Sequence, residues 1–233
     1  MCRLICMQTV RAGAIGRRRV LGGGAAAAAV WVSPSVIGLD RVAAAQGSCG
    51  FAPVQVDWSD HSDTFPTVVT ANDGTVVTIQ ALDPSGVANT NLLGRVFPAT
   101  LSGRDEPIIM AMSGASNGQF TELVFTFSTP VHLCSELIDV DRAQNGWEDT
   151  MEMFGTLNGV AVDLTASDVV TGPTNTFVGT NTLVGTGPAA QAATDGNATF
   201  NYPSPIDSFT LRHRDNSTFT EAQYIGMHDL RWC

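Results

Sequence analysis

Residues 120–140, "FTELVFTFSTPVHLCSELIDV", decide the fold. The stretch reads as a β-strand rich in aromatic and β-branched residues, a turn set by Pro130, and the start of a second strand. The same signature, an aromatic pair followed by a proline and a β-branched residue, returns in "FNYPSPIDSF" at 200–209. A sandwich of sheets uses such corners where the chain leaves one strand for the next. Outward from these two corners the chain is a series of short apolar runs separated by Gly, Pro, Asn and Asp, among them "TVVTIQA", "PIIMAM", "TMEMFGTL", "VAVDL" and "YIGMHDLRW". Helical periodicity is nearly absent. Asp73-Gly74 and Asn158-Gly159 each sit between two such runs and read as hairpin turns. "NTFVGT" at 175–180 repeats at once as "NTLVGT" at 181–186, which reads as an edge hairpin, and "GTGPAAQAATDGN" after it as a flexible loop. The expected fold is all-β: a two-sheet antiparallel jelly-roll-like β-sandwich.

The first 45 residues stand apart. Arg3, Arg11 and Arg17-Arg18-Arg19 precede an uncharged stretch from Val20 to Leu39, and Ala43-Ala44-Ala45 follow. Basic, apolar, small-residue order is the layout of an export signal. The arginine cluster and the Gly/Ala-rich core resemble a twin-arginine leader. The reading is a cleavable signal over 1–45 and one β-sandwich domain over 46–233, a length suited to a single core. A retained membrane anchor is the alternative, although Gly, Ala, Ser and Pro34 leave the stretch only mildly apolar.

Charge excludes several partners. Six of the 12 basic residues and one of the 22 acidic ones lie in the leader, so the remaining chain sets six arginines against 21 carboxylates. Such a surface repels phosphate backbones and anionic lipid, so nucleic acid and, once the signal is removed, membrane are not expected partners. A secreted, periplasmic or cell-surface location is expected. Three cysteines follow the leader. Cys49 and Cys233 lie at opposite ends, and termini of compact domains are often neighbours, so a Cys49–Cys233 disulfide is expected, with Cys134 a buried free thiol.

The loop "DVDRAQNGWED", Asp139 to Asp149, carries the candidate chemistry. Asp139 and Asp141 alternate at a strand end and project to one side of the chain. Asn145 and Asp149 follow on the loop, and a gathering of hard oxygen ligands suits calcium. The loop is no EF-hand, because position 143 is alanine and no glutamate closes it in register. A solvated hairpin tip is the competing reading. Trp147, beside Glu148, offers a flat apolar face next to carboxylates, as a sugar ring requires, or folds back to cap the sandwich. Trp58 and Trp232 read as core. Glu136, Asp139, Asp141 and Asp149 contain pairs suited to glycoside hydrolysis, yet so acidic a chain always offers pairs. The four histidines form no zinc motif, and neither a nucleophile elbow nor a phosphate loop is present.

The series "F.F..PV....ELIDVD....WEDTMEMFGTLNG", then "F.Y.SPI.SFTLRHRD", then "YIGMHDLRW" resembles the galactose-binding-like jelly-roll modules of exported bacterial proteins, over about residues 119–233. That resemblance implies a binding or adhesive module, sometimes steadied by calcium. It also implies that Asp229 ties the closing strand to the opening one through a metal, with Asp57, Asp60 and Asp63 as partners. The functional expectation is a non-catalytic module for a glycan or surface-protein ligand, with Ca2+ as cofactor. A secreted polysaccharide-active enzyme on the same fold is the alternative.

Overall fold

The computed structural model describes residues 52–143, 146–189, 193–217 and 222–232. The expected leader over 1–45, Asn145, Cys49 and Cys233 lie outside them. Seventeen strands are described: β1 Val54–Val56, β2 Val68–Thr70, β3 Val76–Leu82, β4 Thr100–Leu101, β5 Arg104–Asp105, β6 Ile108–Met112, β7 Phe120–Val131, β8 Cys134–Ile138, β9 Asp149–Leu157, β10 Val160–Val162, β11 Val169–Val170, β12 Asn175–Val178, β13 Thr182–Gly185, β14 Ala198–Asn201, β15 Ile206–Asp215, β16 Gln223–Met227 and β17 Leu230–Arg231. They form two antiparallel sheets. The first runs β1-β17-β8-β14-β11, with β16 and then β6 joined beside β8; the second runs β12-β13-β9-β15-β7-β3-β2, with β10 on β9. β4 and β5 pair separately, and Trp58–His61 is a single 3₁₀ turn.

Both proline corners lie where the chain changes sheet. β7 belongs to the second sheet and β8 to the first, while β14 belongs to the first and β15 to the second. The corner is not at Pro130, as the sequence suggests. β7 continues through Pro130 to Val131, and the crossing falls at His132-Leu133. Proline is tolerated there because the ladder with β15 is interrupted by a register shift opposite Ile206 and Ser208.

Alternation of side chains drives the packing. Leu123, Phe125 and Phe127 of β7 and Phe209 and Leu211 of β15 turn inward to meet Leu137, Phe200, Ile225 and Met227 of the other sheet. Phe200 and Phe209 approach across the sheets with ring centroids 5.5 Å apart, and Phe125 stacks on Phe209 at 5.8 Å. Trp58 and Trp232 are core, as expected, packed on Phe125 and Phe127. The three expected hairpins form as β2–β3, β9–β10 and β12–β13. Asn158 and Gly159 both take positive φ, +52° and +77°, the conformation that a two-residue hairpin of matching twist demands. The short β4–β5 pair and β11 carry no clear pattern in sequence.

Two expectations about the ends are revised. "YIGMHDLRW" is two strands, β16 and β17, because the chain breaks step at His228 and Asp229 to meet Trp58. The Trp58 indole donates to the His228 carbonyl at 3.1 Å, and the Trp58 amide donates to Asp229 Oδ1 at 3.1 Å. Opening and closing segments are therefore tied by direct hydrogen bonds, and β1 pairs with β17. Cys134, expected to be free, is disulfide-bonded. Its partner lies outside the described residues, as does the expected Cys49–Cys233 pairing.

Candidate functional site

The site forms where β8 and β16 part. Ile138 still pairs with Gly226, but Asp139 then takes φ +67° and turns its chain toward the second sheet. A non-glycine residue in this region is disfavoured by about 1–2 kcal/mol, and persists only where its surroundings hold it. Here the holding is explicit. The Asp139 amide donates to Asn197 Oδ1 at 3.4 Å and the Val140 amide to the Gly196 carbonyl at 2.9 Å. The Ser102 hydroxyl donates to Asp139 Oδ1 at 2.8 Å. Asn197 also donates to the Ser102 carbonyl and to Glu136, each at 3.1 Å, and Glu136 is gripped by both arms of Arg104.

The other half of the loop is anchored to the second sheet. The Asp149 amide donates to the Asp141 carbonyl at 3.1 Å, and the Asp141 amide to Asp149 Oδ2 at 3.2 Å. Asp149 Oδ1 lies 2.8 Å from His213 Nε2, both side chains fully buried. Asp141 receives two neutral donors, the Trp147 indole N–H and the Ala189 amide, each at 2.8 Å. Gly185 makes room for this crossing, since a Cβ there would stand 2.0 Å from the Asp141 carbonyl oxygen.

Between the loop and the start of β16 lies a cleft of about 220 Å³, walled by Asp139, Asp141 and Trp147 on one side and by Ala222, Gln223 and Tyr224 on the other. Gln223 shares its face of β16 with the core residues Ile225 and Met227 and is 3 % exposed. Neither its Oε1 nor its Nε2 has a hydrogen-bond partner. At the same end of the inter-sheet space, His213 Nδ1, Asp215 Oδ2 and Thr121 Oγ1 are also buried and unpartnered. Leaving one buried polar group unpaired costs about 1–3 kcal/mol, so an end of the core with five such atoms departs sharply from ordinary packing.

Burial is the main cause that pushes the Asp139 carboxyl up to about 6; Asp141 and Asp149 add to the rise, and the Ser102 hydrogen bond opposes it. Burial also raises Asp149, against the pull of His213. For Asp139 the folded state holds its proton more tightly than the unfolded chain, so its ionisation opposes folding above about pH 6 and that penalty disappears as pH falls toward 4. Asp139→Asn, which keeps the acceptor for Ser102, is expected to be more stable than the wild type by ~2–3 kcal/mol at pH 8. The advantage should shrink to near zero by pH 4. Denaturant midpoints across that range check it, and a constant difference would show that the carboxyl is not so perturbed.

The structure thus gathers Asp139, Asp141 and Trp147 around one cleft, with Asp149 directly behind. Glu148 faces away and pairs with the exposed Arg142 at 3.2 Å. Asp229 is elsewhere, beside Trp58, Asp57 and His228. Asn145 lies outside the described residues. Among the described residues no three His, Cys, Asp or Glu side chains are grouped to hold a metal ion. Sequence reasoning missed Gln223, Tyr224, Ser102, Asn197 and His213. Gln223 had a usable signal: it sits in the inward phase of "QYIGM", two and four residues before Ile225 and Met227, where a polar side chain is out of place.

The fold and cleft describe an all-β protein of two antiparallel sheets with an acidic, aromatic-walled recess at one end. The chain matches no protein-family model, no curated protein and no solved structure. Its likeness to galactose-binding-like modules rests on the patterning of its own residues. Among the described residues no helix is long and apolar enough to cross a membrane.

Proposed function

We propose that the chain is an exported, non-catalytic binding module on a jelly-roll-like sandwich, and that its cleft takes a hydroxyl-rich ligand, a glycan of a surface or matrix. The observation that carries this reading is Gln223, a residue of the cleft wall whose buried amide has no hydrogen-bond partner on either polar atom. An amide presents one donor and one acceptor side by side, which suits adjacent hydroxyls of a sugar ring. Trp147 supplies an apolar ring beside it and Asp139 a carboxylate. Small-ligand sites have this composition, apolar walls with a few placed polar groups.

Gln223→Leu separates a binding role from a structural one. With no internal hydrogen bonds to lose, the variant is expected to gain about 1–2 kcal/mol in stability, while glycan-array and calorimetric signals disappear. A destabilised variant that still binds would remove the reading.

One observation favours the rival, a polysaccharide-cleaving enzyme: the Asp139 carboxyl is raised to about 6, in the range of a general acid. Glycoside hydrolysis also needs a second available carboxylate, and both Asp141 oxygens are held by Trp147 and Ala189. Incubation with bound oligosaccharides is expected to release no new reducing ends.

A further inference from the structure

We propose that the ligand is a saccharide carrying a free, protonated amino group, its ammonium seated against the Asp139 carboxylate and the Gln223 carbonyl oxygen, beside the Trp147 ring. This inference rests on the cleft being the binding site and adds the charge and chemistry of what enters it.

The cleft holds negative charge that no neighbouring cation among the described residues answers. Among the described residues the one side-chain donor to Asp139 is the neutral Ser102 hydroxyl, on Oδ1. Asp141 accepts only from an indole and a backbone amide. Among the described residues no arginine or histidine lines the cleft. Arg142 is paired with Glu148 at the loop tip, and Arg104 is spent on Glu136, reaching Asp139 only through Asn197. His213 answers Asp149, behind the wall.

Gln223 is independent of that acidity. A buried amide with both atoms bare is not explained by a need for surface charge, and it points to a ligand with a donor and an acceptor close together. A bare metal ion does not meet the requirement: it answers oxygen acceptors but offers no acceptor to the amide N–H of Gln223. An amino sugar does. Its ammonium answers the carboxylate, an adjacent hydroxyl answers the amide N–H, and the cation gains from the nearby aromatic rings of Trp147 and Tyr224.

The protonation of Asp139 fits the same picture. The groups facing it are Asp141 on its own loop, Asp149 at the head of β9, Ser102 in the turn before β5, and Glu136 with Arg104 through Asn197. An entering ammonium draws the proton off Asp139, so binding weakens as pH falls below about 6.

The test is calorimetric titration of the intact protein at pH 6.5 and low salt with three probes: a fully deacetylated glucosamine hexamer, its N-acetylated counterpart and cellohexaose. The deacetylated hexamer is expected to bind roughly 10- to 100-fold more tightly than the neutral two, the range of one charge-assisted hydrogen-bonded contact. In Asp139→Asn that preference should vanish, the three hexamers then binding with similar affinity, and Gln223→Leu should bind none of them. Equal affinities for all three probes in the wild type would overturn the amine inference and leave the glycan reading standing. Binding of none would overturn both. A preference that survives Asp139→Asn would mean diffuse attraction to the acidic surface and would overturn the site. Binding of calcium chloride alone, lost in Asp139→Asn, would overturn the organic cation in favour of a metal.

Discussion

Replacing His213 by leucine is expected to lower stability by about 3 kcal/mol, the upper end of the cost of leaving a buried polar group without its hydrogen-bond partner. Asp149 is 1 % exposed and His213 fully buried, with Oδ1 and Nε2 2.8 Å apart. Without the imidazole, the carboxylate keeps only the Asp141 amide on Oδ2. It must then stay charged while shut off from water or take up a proton. Burial already pushes its pKa up, so the variant should recover stability as pH falls, the folded state binding a proton that the unfolded chain releases. The double variant His213→Leu/Asp149→Leu removes the stranded charge and is expected to regain more than half of the loss, because well-packed apolar replacements of a buried pair are often close to neutral. Denaturant unfolding at pH 7 measures all three. A single variant within ~1 kcal/mol of wild type would show that the pair contributes little. The His213 effect should also reach the cleft, since Asp149 positions the Asp141 backbone from which Trp147 is held.

Gly185→Ala is expected to lower stability by about 3 kcal/mol, the upper end of the usual overpacking range, and to abolish ligand binding. The added Cβ would stand 2.0 Å from the Asp141 carbonyl oxygen and 2.3 Å from its carbon. Those are backbone atoms, with no flexible side-chain end to swing aside. Relief requires the β12–β13 hairpin or the Asp139–Asp149 loop to move, and each is pinned. Asn175 opposite Gly185 donates to the Gly196 carbonyl at 2.9 Å, and Val140 donates there as well. Gly187→Ala, two residues on with nothing within 4 Å of its Cβ, is the control and should change stability by no more than ~0.5 kcal/mol. Melting curves and calorimetry of both variants decide the matter; equal behaviour would show that the loop backbone is free to yield.

The parts of the site that were legible in sequence are those adjacent along the chain. Asp139, Asp141 and Trp147 lie within nine residues, and a strand end followed by a short loop brings them to one recess. Asp149 reads in sequence as a loop residue, but it is the first residue of β9 and turns inward with Met151 and Met153. One residue of register decides whether a carboxylate faces solvent or core. Asp229 reads in sequence as part of a continuous strand, but it sits in the break between β16 and β17, where the amide of Trp58, 171 positions away, donates to its Oδ1.

Sequence alone determined the class of structure. Short β-branched and aromatic runs, the Asp73-Gly74 and Asn158-Gly159 turns and the two proline corners are local signals, written in adjacent residues by turn geometry and side-chain branching. The excess of carboxylates is likewise a property of composition. Only the tertiary structure decided which strands share a sheet, because ladder partners such as Leu123 and Leu211 are distant in sequence and are chosen by packing both inner faces at once. It alone set Gln223 and Tyr224 opposite Asp139, paired His213 with Asp149 and pressed Gly185 against Asp141. A polar atom's unmet hydrogen bonds are a property of everything that surrounds it, and no residue's neighbours along the chain reveal what the fold has brought against it.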